Sequence, residues 1–265
     1  KELGMFYKFM GGSDEDLVAV FDHAVVNGSL KFTSGARFND PFEFKFMSVA
    51  PGRDAYEAWH RTHRPDVTAA QRDHGWEALT GKQADWNSGL VPRMTMLEHL
   101  YVLCLAQRWD IHLMWSHYTS AHHGFAICYK REIVTALATL PDYEMHGDVV
   151  YGDAVPDLRW FSGPPQDIML PVLLTKSSDW AYEAEHRVVV TGPPGKEALF
   201  HAIDPDLIAG VILGARVPEA LVGKALALRK ARPDFTVEEV GSARDTYKLT
   251  THRIEDNVRR MRGFL

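Results

Sequence analysis

The stretch Lys176-Ser177-Ser178-Asp179-Trp180-Ala181-Tyr182-Glu183-Ala184-Glu185-His186-Arg187 runs directly into Val188-Val189-Val190. Polar and ionisable side chains give way at once to three β-branched ones, so a polar approach abuts a buried strand. Glu183 and Glu185 stand two apart, and in an extended segment that spacing puts both carboxylates on one side of the chain. Carboxylates held against a buried strand have the rigidity that a catalytic acid needs. The plainer reading is an exposed edge with ion pairs to His186 or Arg187.

Outward from that stretch, short strands and helices alternate unevenly. Met5-Phe6-Tyr7-Lys8-Phe9 reads as a first strand ending at Gly11-Gly12, and Ser13 caps a helix with Asp14, Glu15 and Asp16 in its first turn. A strand follows at 30–34, then a loop from Gly35 to Glu43 in which Asn39-Asp40-Pro41 forbids helix. Asn39 and Asp40 are expected to be mainly architectural, bonding the backbone of that turn. Residues 100–105, 125–129 and 148–151 read as strands, and a helix carries His112, Met114, Trp115, Tyr118 and His122 until Gly124 closes it. Further strands are expected at 207–213, 235–240 and 245–249, with a helix at 218–232 and a final basic helix holding Arg253, Arg259, Arg260 and Arg262. Uneven connections without regular βαβ spacing predict an α+β fold, a pair of mostly antiparallel sheets wrapped by helices. Residues 54–99, rich in His, Arg, Asp and Trp, read as a helical insert in a single domain spanning 1–265.

Composition narrows the function classes. Apolar residues make up 46% and charged residues 24% of the 265, a globular balance that excludes disorder and a disulfide scaffold. A formal charge of −6 means that nucleic-acid contact would rest on a local patch. Cys104 and Cys128 lie in apolar stretches without C-x-x-C spacing and read as reduced thiols. No apolar run approaches the ~18 residues that cross a bilayer, and no signal-peptide pattern opens the chain, so membrane partners are not expected and a cytoplasmic location is. His112, His117, His122 and His123 are spaced H-x4-H-x4-H-H, and steps of five turn a helical side chain by roughly 140° net, so no metal is expected there. Walker, dinucleotide-binding and G-x-S-x-G patterns do not occur.

Taken in order, several blocks resemble the bacterial family known as domain of unknown function 2971. They are Tyr7-Lys8-Phe9; Phe32-Thr33-Ser34 with Phe38-Asn39-Asp40-Pro41-Phe42-Glu43; Met114-Trp115-Ser116-His117-Tyr118 with His122-His123-Gly124-Phe125; Val150-Tyr151; Lys176 with Trp180 to Arg187; and Ile212-Leu213-Gly214. The insert falls outside this likeness. More distantly, the arrangement is similar to the ADP-ribosyltransferase superfamily, especially DNA-targeting toxins of the DarT kind. In those a first strand carries a residue for nicotinamide and a late glutamate stands just before a buried strand. Tyr7 and Glu185 fill these places here, with Tyr7 where a histidine is frequent and without a Ser-Thr-Ser triplet.

That resemblance implies NAD as substrate and transfer of ADP-ribose by a toxin or phage-defence effector, working in its own or a target cell's cytosol. The acceptor would be a protein or nucleic acid, and an immunity or antitoxin partner is implied. Glu185, rather than Glu183, is the expected catalytic carboxylate, with His117 beside them. Tyr7, Lys8, Ser34, Arg37, Trp115 and Tyr118 are the expected NAD contacts, although by residue type alone Tyr7 and Trp115 are more often core residues than ring-stackers. Two other classes stay open: a hydrolase or nuclease using His117 and the carboxylates, and a non-enzymatic binding module.

Overall fold

The computed structural model describes residues 4–81 and 97–254. Fourteen strands are described: β1 (Phe6–Met10), β2 (Ser29–Ser34), β3 (Met47–Val49), β4 (Leu100–Ala106), β5 (Phe125–Tyr129), β6 (Tyr143–Asp148), β7 (Val150–Tyr151), β8 (Asp157–Arg159), β9 (Thr175–Lys176), β10 (Glu185–Thr191), β11 (Ala198–Ala202), β12 (Ile208–Leu213), β13 (Thr236–Ser242) and β14 (Leu249–Arg253). The α-helices are α1 (Asp14–Phe21), α2 (Arg53–His63), α3 (Ala69–Thr80), α4 (His112–Tyr118), α5 (Glu132–Leu137), α6 (Pro165–Leu173) and α7 (Glu219–Ala231). The fold is α+β, built on one large mixed sheet.

That sheet has ten strands, and two parallel pairs, β3–β8 and β7–β9, stand apart from it. Within the large sheet only β12 and β13 run parallel. Its hub is β4. On one edge β10 pairs along the whole strand, from Glu185↔Ala106 to Thr191↔Leu100, and β6 lies outside β10. The other edge is shared: β2 takes Tyr101 and Val102, while β1 takes Ala106. Between them the sheet forks, one arm continuing to β11 and the other through β5, β12 and β13 to β14. Lys8 reaches into the fork and donates from Nζ to the Cys104 carbonyl at 3.0 Å. The two sheets expected from sequence are therefore one, because both arms grow from β4.

Side chains alternate across this hub. Val188 and Val190 of β10 face the main core with Leu103 and Leu105, covered by Leu17 and Phe21 of α1 and by Leu221 and Ala225 of α7. Each such fully buried side chain contributes roughly 1.5–3 kcal/mol. Glu185 and Arg187 point to the opposite face, which carries the candidate cleft.

Local signals set most element starts. Ser13 caps α1 through a capping box with Asp16. The helix expected to run to His122 stops at Tyr118, because Ser120, Ala121 and His122 all take positive φ. The expected strand at 148–151 is divided between the end of β6 and β7, and the one at 245–249 begins only at Leu249. Arg253 ends β14, and the rest of the expected basic helix lies outside the described residues. In the insert, α2 and α3 are helical and 82–96 lie outside the description. Among the described residues no helix is long and apolar enough to cross a membrane.

Candidate functional site

Five charged side chains meet under the start of β10. Lys176 Nζ lies 2.6 Å from Glu183, 3.3 Å from Glu185 and 3.5 Å from Glu43. Arg187 donates from Nε to Glu185 at 2.9 Å, from Nη2 to Glu43 at 2.6 Å, and from Nη1 to the Leu173 carbonyl at 2.8 Å. All five side chains are at most 7% exposed. The two carboxylates of Glu183 and Glu185 do not share an extended segment as the spacing suggested. Glu183 ends a 3₁₀ turn and Ala184 sits at φ 44°, a left-handed conformation costly for a residue with a Cβ. That turn swings both carboxylates onto one ammonium.

Tyrosines complete the cluster. The Tyr118 hydroxyl donates to Glu183, and the Asn39 side chain reaches the same hydroxyl. The backbone N–H of Glu185 donates to the Tyr151 hydroxyl at 2.8 Å. Burial, together with Glu183, raises the Tyr118 phenol, which stays protonated as a donor. For Glu185 burial works to raise the carboxyl, but the Arg187 and Lys176 charges outweigh it and hold it at about 2. Burial likewise opposes the charge on Lys176, and the three carboxylates overcome it and raise the ammonium. Glu185 is thus an anion at neutral pH, suited to stabilising positive charge rather than to giving up a proton.

Above the cluster is a cleft whose floor is set by register. Tyr7, Ala106 and Glu185 are direct neighbours across β1, β4 and β10. Two strand spacings put Tyr7 and Glu185 roughly 10 Å apart at Cα, with the small Ala106 side chain between them. Tyr7, Lys8, Tyr118, Glu183 and Glu185 all line this cleft, so five of the nine candidates from sequence converge although they lie in three segments far apart in the chain. Burial first, then nearby Cys128 and the acids Glu238 and Asp110, push the Tyr7 phenol up to about 12.

The other four candidates lie elsewhere. Trp115 is fully buried, edge-on to Phe9, with Nε1 donating to the Trp109 carbonyl, so it packs the wall behind the cleft. His117 is exposed against the Tyr182 hydroxyl. Ser34 is buried and caps the turn at Ala36. Arg37 is exposed and paired with Glu197 at 2.7 Å. The clustered histidines take separate partners, His122 stacking on Trp115 and His123 bonding the Ser120 carbonyl. Among the described residues no three His, Cys, Asp or Glu side chains are grouped to hold a metal ion, and the three glutamates converge on Lys176 instead.

Sequence reasoning gave no chemistry to Glu43, Tyr151 or Lys176, and gave Arg187 only the ion pair of an exposed edge, a pair that forms with Glu185 but is buried; each of the four belongs to a block that carried the resemblance. Glu43 closes the Phe38–Glu43 motif, whose Asp40 accepts from the Phe42 N–H at 2.8 Å and so shapes the turn that presents it. Asp40 is architectural as expected, whereas Asn39 turns toward Tyr118. Gly124 lets the segment after α4 lie against β1, since a Cβ there would stand 1.9 Å from the Met10 carbonyl. No curated protein and no solved structure matches the chain. Residues 114–188, which supply Tyr118, Tyr151, Lys176, Glu183, Glu185 and Arg187, match the family described as Protein of unknown function (DUF2971).

Proposed function

We propose that the cleft binds NAD and that the protein is an ADP-ribosyltransferase. The observation that carries this reading is the register of Tyr7, Ala106 and Glu185, which sets an aromatic wall and an ionised carboxylate on either side of a small floor. A phenol ring suits stacking on nicotinamide. Three carboxylates against two cations leave the cluster one formal negative charge in excess, which favours both the cationic nicotinamide ring and the oxocarbenium ion formed as it departs. In that step the bond from nicotinamide to ribose C1′ breaks and its electron pair leaves with neutral nicotinamide. An acceptor nucleophile then bonds to C1′ and loses its proton. Glu185 would hold the ribose 2′-hydroxyl and the developing charge, while Lys176 and Arg187 fix its rotamer. The same reading extends to a toxin or phage-defence effector acting in a cytosol on a protein or nucleic-acid acceptor, restrained by an immunity or antitoxin partner.

Nicotinamide release from NAD tests this in wild type, Glu183→Gln and Glu185→Gln, each assayed where it is folded. Glu185→Gln is expected to lower turnover by roughly 10²- to 10⁴-fold. Near-normal turnover in that variant would remove Glu185 from the role. Failure of the wild type to release nicotinamide with any protein or nucleic-acid acceptor would overturn the transferase reading.

A further inference from the structure

The fork in the sheet opens on its other side into a second, larger cavity. Its volume is about 400 Å³, open to solvent, and within the ~300–1,000 Å³ range of small-molecule sites. The walls are mainly aliphatic, with Met10, Val20, Leu30, Leu103 and Ile127 among them. Two lysines, Lys8 and Lys31, also line it, and no Asp or Glu does among the described residues. In a chain whose formal charge is −6, a cavity with two cations and no acid on its walls is matched to an anion. The aliphatic walls call for an apolar body behind that anion, because an inorganic ion would leave them wet.

We infer that this cavity binds an amphipathic carboxylate, an alkyl chain with its head group at Lys8 and Lys31. Lys8 carries three N–H donors and gives one to the Cys104 carbonyl, which leaves donors for a carboxylate. Lys8 also lines the NAD cleft proposed above, so a bound carboxylate would touch the residue that joins the two sides of the fork. The inference concerns binding alone and does not depend on the cleft's chemistry.

Calorimetric titration of the full chain with decanoate, below its micelle concentration, tests it, with decanol as the uncharged probe of equal chain length. The expected result is one-to-one binding of decanoate, at least tenfold tighter than that of decanol. Lys31→Met should weaken decanoate at least tenfold while leaving decanol unchanged, and Val20→Trp, which fills the cavity, should abolish both. The wild-type comparison of decanoate with decanol stands even if a variant fails to fold. Equal affinity for the two probes, no decanoate binding at millimolar concentration, or unaltered binding by folded Val20→Trp would each overturn the assignment.

Discussion

Two ionic networks of similar composition occupy this chain in different surroundings. Between α2 and α3, Glu57 pairs with Arg53 at 2.6 Å and Arg72 at 2.8 Å, and Arg53 also meets Asp73. Around β9 and β10, Lys176 and Arg187 share Glu43 and Glu185 at comparable distances. The first network is wet, with Asp73 63% exposed, and the second is dry, with Arg187 at 0%. Water can replace Arg53 or Asp73 at the open end of the first. In the second, removing one partner leaves an unpaired charge in a low-dielectric interior, so the same contacts become mutually obligatory.

The largest effect should come from Arg187→Met, which strands Glu43 and Glu185 together in the interior. Urea unfolding should show a loss of about 3–5 kcal/mol. A loss below about 1 kcal/mol would mean that the cluster is wetter or less coupled than its contacts imply.

Acid should then separate the networks further. The folded Glu185 carboxyl is held at about 2, below its ordinary 4.5, so its contribution is present above pH 4.5 and is lost as pH falls toward 2. The shift corresponds to about 3 kcal/mol over that window. Stability measured from pH 6 to pH 2 should fall more steeply for wild type than for Glu185→Gln. Parallel curves would contradict the assignment of the shift to this residue.

A smaller effect is expected from Asn39→Ala. Asn39 is exposed and its side chain meets the Tyr118 hydroxyl at the edge of the cluster, so thermal unfolding should show a loss below about 1 kcal/mol. A loss of about 2 kcal/mol would restore the architectural role that its place before Asp40-Pro41 suggests.

The least effect should come from Arg53→Gln in the exposed network. Its urea midpoint should move slightly at low salt and return to that of wild type at 0.5 M salt, a concentration on the order of that which shortens the Debye length to a few ångströms. A salt-independent shift would show that α2 and α3 need this pair for packing.

The contrast also explains what could be read from sequence. β1, β10 and the cap at Ser13 were legible because an aromatic run ending at Gly-Gly, a β-branched run and a capping residue are all local signals. The cleft residues Tyr7, Tyr118, Glu183 and Glu185 were legible through their blocks. The pairing of Arg187 with Glu43 was not, because the two stand 144 residues apart and no periodicity links them. Nor was the turn at Ala184, since an alanine in the left-handed region is held by the contacts on either side rather than by its own preference. The same holds for Ser120, Ala121 and His122, none of which is the glycine that signals the left-handed backbone ending the helix. Trp115 matched the aromatic pattern of a ring-stacking residue, and only its complete burial shows that it packs the core.

A crystal structure of the chain soaked with NAD would locate the nicotinamide and ribose directly. The nicotinamide ring is expected against Tyr7, above Ala106, with the ribose 2′-hydroxyl within hydrogen-bonding distance of Glu185. Nicotinamide bound away from Tyr7 and Glu185, or an empty cleft at saturating NAD, would contradict that expectation.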